Sequence, residues 1–178
     1  MAGRSEAFAR IRLVIFDVDG TLTRRDITYD TGSNEYKSFS AADGLGLVAL
    51  AVSGIQTGII TGRESDVVAR RARDLRMSFC LQRIADKAAA VREQMDAWKL
   101  SRDQVAFVGD DLNDLPAFAE VGMRVAVADA ANELKRQAHY VTRAPGGGGA
   151  AREVAERILR PQGLWRADLA YSVHPDRQ

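Results

Sequence analysis

The stretch LVIFDVDGTLT, Leu13 to Thr23, decides the fold. Leu13 to Phe16 form an apolar run with no polar alternation. That pattern marks a strand buried on both faces, as in a parallel sheet covered by helices. The run ends in Asp17 and Asp19, separated by one valine. Two neighbouring carboxylates repel each other unless a positive charge sits between them, so the pair points to a cation and a reaction at the strand's carboxyl end.

Runs of the same character recur at residues 55–60, 105–108 and 123–127, with a weaker one at 79–81 and an edge strand around His139, Tyr140 and Val141. Residues 65–75 and 85–98 carry helical spacing between them. Val67, Val68, Ala72 and Leu75 share one face, and Ala88, Val91, Met95 and Trp98 another, which places Met95 and Trp98 in the core. The alternation predicts an α/β three-layer sandwich around a central parallel sheet. Residues 24–39 interrupt it: strand-like pieces flank DTGSN, which reads as a projecting β-hairpin. The glycine-rich APGGGGA, residues 144–150, precedes a helix over 151–160 that Pro161 and Gly163 stop, and a polar tail follows.

Composition narrows the function classes. A chain of 178 residues with 46% hydrophobic content can form a single domain over residues 1–178. Its 25 basic and 24 acidic residues leave a net charge of +1, so no overall field recruits nucleic acid or a membrane surface. Cys80 is the only cysteine, which excludes an internal disulfide, fits a reducing cytoplasm and reads as a small buried apolar residue. The first twelve residues lack a signal peptide's apolar centre, and no apolar run is long enough to span a bilayer.

In open parallel sheets, ligands bind beyond the carboxyl ends of the strands. Asp17 and Asp19 end the first strand, Thr61 and Gly62 the second, and Asp110 and Asp111 another, while Lys87 opens a helix nearby. A hard cation such as Mg²⁺ suits Asp17 and Asp110 together with a substrate phosphate. Asp17 can then attack a phosphoryl group in line, and Asp19 can protonate the leaving oxygen and later activate water. Thr61, Lys87 and backbone amides can hold the remaining phosphoryl oxygens. Taken alone, Thr61 also fits a helix N-cap with Glu64 closing a capping box, and His139 and His174 carry no evident chemistry.

These residues, in this order, resemble a known family. DVDGTLT, IITGR, the Asp86–Lys87 pair and GDDLNDLP resemble the four motifs of haloacid dehalogenase-like phosphohydrolases. DGLGLVAL, VVARRARDL, VAVADA and YVTRAPGGGGAAREV are similar to the 3-deoxy-D-manno-octulosonate 8-phosphate phosphatases within them. The resemblance runs from Ile11 to about Gln162. It implies a capless, Rossmann-like, cytoplasmic homotetramer that acts in lipopolysaccharide precursor synthesis. Asp17 would be the nucleophile and Asp19 the acid/base. Mg²⁺ would be held by Asp17, the Asp19 carbonyl and Asp110, and phosphate by Thr61, Gly62, Lys87 and Asn113, with Asp111 and Asp114 supporting the loop behind them. Hairpins would meet at the centre of the tetramer, and the tail from 163 onward could cover a site. Arg63, Arg70 and Arg83 are candidate contacts for a carboxylated sugar. The chain departs from the family pattern at Ala42, where a basic residue is common, at Arg83, where glycine is usual, and at Gly148, where arginine is usual.

Two alternatives accompany that reading. One is a related capless phosphatase for a nine-carbon keto-deoxy sugar phosphate or for a broad range of sugar phosphates. The other is a non-catalytic partner of a sugar cytidylyltransferase, which would not need both Asp17 and Asp19.

Overall fold

The first strand, β1 (Leu13–Phe16), is completely buried and lies at the middle of a six-stranded parallel sheet. The computed structural model describes residues 2–32, 34–167 and 169, the first three by backbone only. In chain order the elements are α1 (Ala2–Ala9), β1, β2 (Thr28–Tyr29), β3 (Glu35–Tyr36), α2 (Ala41–Val52), β4 (Gln56–Ile60), α3 (Asp66–Asp74), β5 (Phe79–Leu81), α4 (Lys87–Ala97), β6 (Val105–Gly109), α5 (Leu115–Glu120), β7 (Met123–Ala126), α6 (Asn132–Gln137), β8 (Tyr140–Val141) and α7 (Ala150–Leu159). Short 3₁₀ turns occupy Arg102–Gln104 and Leu112–Asp114.

The sheet runs β5-β4-β1-β6-β7-β8. Numbered by sheet strands alone this is the order 3-2-1-4-5-6, which reverses direction between β1 and β6. Those two strands pair in parallel from Leu13 opposite Val105 to Phe16 opposite Val108. Their carboxyl ends therefore emerge side by side, carrying Asp17 and Asp110. Right-handed crossovers place the leftward and rightward connections on opposite faces. The contacts sort accordingly: α2 packs on α7 and α1 on α7, while α4 packs on α5. Phe107 and Phe118 meet edge to face inside the second layer, with ring centroids 6.2 Å apart.

Local chemistry sets the helix starts. Ser40 caps α2 by accepting the Asp43 N–H, and Asp86 caps α4 by accepting the Ala89 N–H at 2.9 Å. The buried Asp43 carboxylate reaches from α2 to the start of α7, where it accepts the N–H groups of Gly149 at 3.1 Å and Arg152 at 2.8 Å. One acid thus ties two helices together and satisfies amides that their own helix cannot. Burial holds its carboxyl above the usual range despite those bonds.

The loop from β8 to α7 packs on the loop that follows β1. A Cβ on Gly146 would fall 1.7 Å from the Gly20 carbonyl oxygen, and the Gly147 N–H donates to the Thr21 carbonyl at 2.9 Å. Backbone lies directly on backbone here, which only residues without side chains permit.

Several sequence expectations are corrected. Trp98 is 40% exposed at the end of α4, and Met95 is half-buried where it packs against the core; Val91 is buried as expected, with Ala90 beside it. Cys80 is likewise half-buried. Ser65, not Thr61, is the N-cap of α3, so the Thr61–Glu64 capping box does not form. The hairpin projects after β1 as expected, but its paired residues are only Thr28 with Tyr36 and Tyr29 with Glu35. From residue 170 the tail, with His174, lies outside the described residues. No helix among the described residues is long and apolar enough to cross a membrane.

Candidate active site

Asp17 leaves the end of β1 and Asp110 the end of β6, at the reversal of strand order. Lys87, the first residue of α4, reaches into the same crevice and is 3% exposed. Its Nζ donates to Asp17 Oδ1 at 2.8 Å and to Asp114 Oδ1 at 2.6 Å. The other oxygen of Asp114 accepts the Asp110 N–H at 2.9 Å, which braces the turn that aims Asp110. Asp17, Asp110 and Asp114 each offer one oxygen within 4.8 Å of the others.

Three buried carboxylates lie together with one ammonium, and the surplus of negative charge acts on Asp17 and Asp110. Burial, followed by the Asp114 charge, pushes Asp17 up to about 6 against the pull of Lys87. Burial, then the charges of Asp17 and Asp114, pushes Asp110 up to about 7, while Arg25 pulls the other way. Burial alone would lower Lys87, but Asp17 and Asp114 outweigh it and hold the ammonium above its usual value. Dense hard oxygens with surplus negative charge fit a small divalent cation. Both oxygens of Asp114 are already engaged, so Asp17 and Asp110 are the side chains better suited to ligation.

Asp19 turns elsewhere. Its carboxylate pairs with Lys37 of the hairpin and with Arg63 Nε at 3.5 Å. Lys37 also pairs with Glu35 at 3.3 Å, and Arg63 donates to Glu35 at 3.1 Å and to the Tyr29 hydroxyl at 2.7 Å. The hairpin is thereby latched onto the loop after β1 by a ring of alternating charges. Asp19, Arg25, Asp110, Asp111, Leu112 and Asn113 line an adjoining cavity of about 450 Å³.

Thr61 is buried at the end of β4, its backbone N–H bonded to the Leu81 carbonyl at 3.0 Å, and Gly62 follows it in an exposed loop. Of the three candidate arginines, only Arg63 reaches the acids. Arg70 lies exposed on α3, 4.0 Å from Asp74, and Arg83 pairs with Glu64. Arg83 has a backbone φ of +57°, the left-handed region that favours glycine, which accounts for glycine being usual there. Arg83→Gly should therefore stabilise the protein by about 1 kcal/mol, since the lost ion pair is exposed and worth little. A thermal melt checks this.

Arg25 and Lys37 escaped the sequence reading. Arg25 Nε donates to Asp110 Oδ2 at 3.0 Å. Lys37 had a readable signal, because residues 35–39 read as strand-like in the sequence, and Glu35 and Lys37, two apart, would share a face there. Arg25 had none, since it sits in an irregular connection.

A parallel sheet with an aspartate pair at its central strand tip, braced by a lysine and a second acidic loop, defines a haloacid dehalogenase-like hydrolase. The corresponding family profile, haloacid dehalogenase-like hydrolase, matches residues 79–153. The chain is 44% identical over 154 residues to the 3-deoxy-D-manno-octulosonate 8-phosphate phosphatase of Yersinia pestis, covering 86% of this chain and 82% of that protein. It therefore belongs to the 3-deoxy-D-manno-octulosonate 8-phosphate phosphatase family. The Moraxella catarrhalis phosphatase, solved with magnesium, phosphate and KDO, superimposes with a TM-score of 0.91 at 38% identity, over 96% of this chain and 98% of that one. The cobalt-bound Haemophilus influenzae enzyme gives a TM-score of 0.85 at 38% identity, covering 88% and 92%.

Proposed function

We propose that this chain is a Mg²⁺-dependent phosphatase that hydrolyses 3-deoxy-D-manno-octulosonate 8-phosphate to the free sugar acid and phosphate. The observation that carries this reading is the buried set Asp17–Lys87–Asp114, with Asp110 beside it at the switch point of the sheet, in a chain of this family. Asp17 and Asp110 would hold the cation, together with the Asp19 carbonyl. When bound, the cation offsets the carboxylate charge and draws electron density from the phosphoryl oxygens.

The residues divide the work. An Asp17 oxygen attacks phosphorus, the bond from phosphorus to the sugar oxygen breaks, and Asp19 delivers a proton to that oxygen. Asp19 then takes a proton from water as the water oxygen attacks phosphorus. The aspartyl–phosphorus bond breaks, and phosphate leaves with Asp17 regenerated. Thr61, Gly62, Lys87 and Asn113 hold phosphoryl oxygens, with Asp111 and Asp114 supporting the loop. Arg63 is the arginine best placed for the sugar carboxylate, because it shares the crevice with Asp19.

Cytoplasmic placement and a homotetramer belong to the same proposal. Ile27, Tyr29 and Tyr36 are exposed on a hairpin that stands off the sheet, an arrangement suited to burial against further copies. Phosphate release from this substrate and from a panel of sugar phosphates, with Mg²⁺ and with chelator, tests the reading. Metal-dependent preference for the eight-carbon substrate is expected. Equal turnover of a nine-carbon keto-deoxy sugar phosphate would transfer the assignment to the related capless phosphatases.

A further inference from the structure

Arg25 grips a single residue twice. Its Nε donates to the Asp110 carboxylate at 3.0 Å and its Nη2 to the Asp110 carbonyl at 3.2 Å. The two ends of that pair differ sharply in freedom: the arginine side chain is 45% exposed, and that of Asp110 only 4%. Arg25 can reach solvent when another cation takes its place, whereas Asp110 cannot follow it.

Charge bookkeeping suggests when it moves. Asp17, Asp110 and Asp114 against Lys87 leave the crevice at −2, and Arg25 brings it to −1. A divalent cation in place of Arg25 would bring the same set to zero. A cation added alongside Arg25 would set two cations competing for one buried carboxylate. Guanidinium and metal are therefore alternatives at Asp110. A displaced Arg25 still borders the cavity of about 450 Å³ that it lines with Asp19, Asp111 and Asn113. A planar, always-charged fork in that position matches a phosphate or a carboxylate.

We propose that Arg25 is a displaceable internal cation that holds Asp110 until a divalent metal takes its place and then turns to the anionic substrate in the adjoining cavity. The idea rests on the reading of Asp110 as a metal ligand and of an anionic sugar phosphate as substrate. It makes Arg25 a residue with two successive partners.

Isothermal titration of Mg²⁺ into the full-length protein without substrate tests the exchange, using wild type, Arg25→Ala and Arg25→Lys, each first checked for folding by circular dichroism. Arg25→Ala should bind Mg²⁺ about ten-fold tighter, equivalent to about 1.4 kcal/mol. Arg25→Lys, which keeps the charge and loses the fork, should fall between. Unchanged or weaker Mg²⁺ binding by Arg25→Ala overturns the exchange. At saturating Mg²⁺, Arg25→Ala should raise KM about ten-fold with kcat changed far less, and an unchanged KM overturns the substrate half. If Arg25→Ala binds Mg²⁺ more tightly while no variant hydrolyses the eight-carbon sugar phosphate, the exchange stands and the substrate assignment falls. A wild type that binds no Mg²⁺ overturns both.

Discussion

Asp17→Asn should lower phosphate release by about 10⁶-fold, the scale on which removal of a nucleophile acts. The replacement is isosteric at a side chain that is 3% exposed, so packing has no reason to change. A carboxamide oxygen can still accept the 2.8 Å bond from Lys87, which keeps the local scaffold intact. What disappears is the negative charge that makes the oxygen nucleophilic. The variant should therefore keep its melting profile and bind inorganic phosphate in the presence of Mg²⁺ while failing to turn over. The same comparison separates an enzyme from a non-catalytic cytidylyltransferase partner, whose wild type would already be inert. Hydrolysis at the wild-type rate by Asp17→Asn would eliminate Asp17 as nucleophile.

Lys87→Met should remove activity and also destabilise the fold by about 3–5 kcal/mol, because deleting one member of a buried ionic set strands the others. Asp17 and Asp114 would face each other in a desolvated crevice with no ammonium between them. The pH dependence has a definite sign. Asp17 already titrates at about 6, above its ordinary 3.8, and loss of Lys87 pushes it higher. A carboxyl whose folded value is raised contributes stability that is present at low pH and lost as pH rises through that value. The deficit of Lys87→Met should therefore be largest near pH 8 and shrink below about pH 6, as chemical denaturation at the two pH values would show. A deficit independent of pH would mean that Lys87 acts through packing alone.

The strands and the catalytic edge of the sheet were legible because uninterrupted apolar runs leave no other fate for a short segment. Asp17 and Asp110 could be placed together from strand ends, and Lys87 beside them from the helix that opens after the weak strand at 79–81. The helical faces were less secure. Trp98 has the right spacing on α4 but lies beyond the helix's last turn over the sheet, and periodicity carries no information about where a neighbouring layer stops. The six-residue α5 and α6 are too short to show a period at all. The cations that hold the acids were the least legible. Arg25 and Lys37 meet Asp110 and Asp19 across loop geometry, and only a hairpin register or a structure reveals which way such side chains turn.

The glycine loop that leans on the catalytic loop limits how this enzyme can change over generations. Gly146 and Gly147 lie against the backbone of residues 20–24, so any side chain at either position would push directly on the segment that carries Asp17 and Asp19. Gly149 holds a φ of +112° at the start of α7, which makes a side chain there costly as well. Gly148 alone faces outward, and a Cβ there would meet mainly the ring of Pro145, whose pucker can yield. A lineage can therefore change the side chain at this position through one codon without disturbing the backbone that carries Asp17 and Asp19. A side chain is cheap for the fold at Gly148 and costly at Gly146, Gly147 and Gly149.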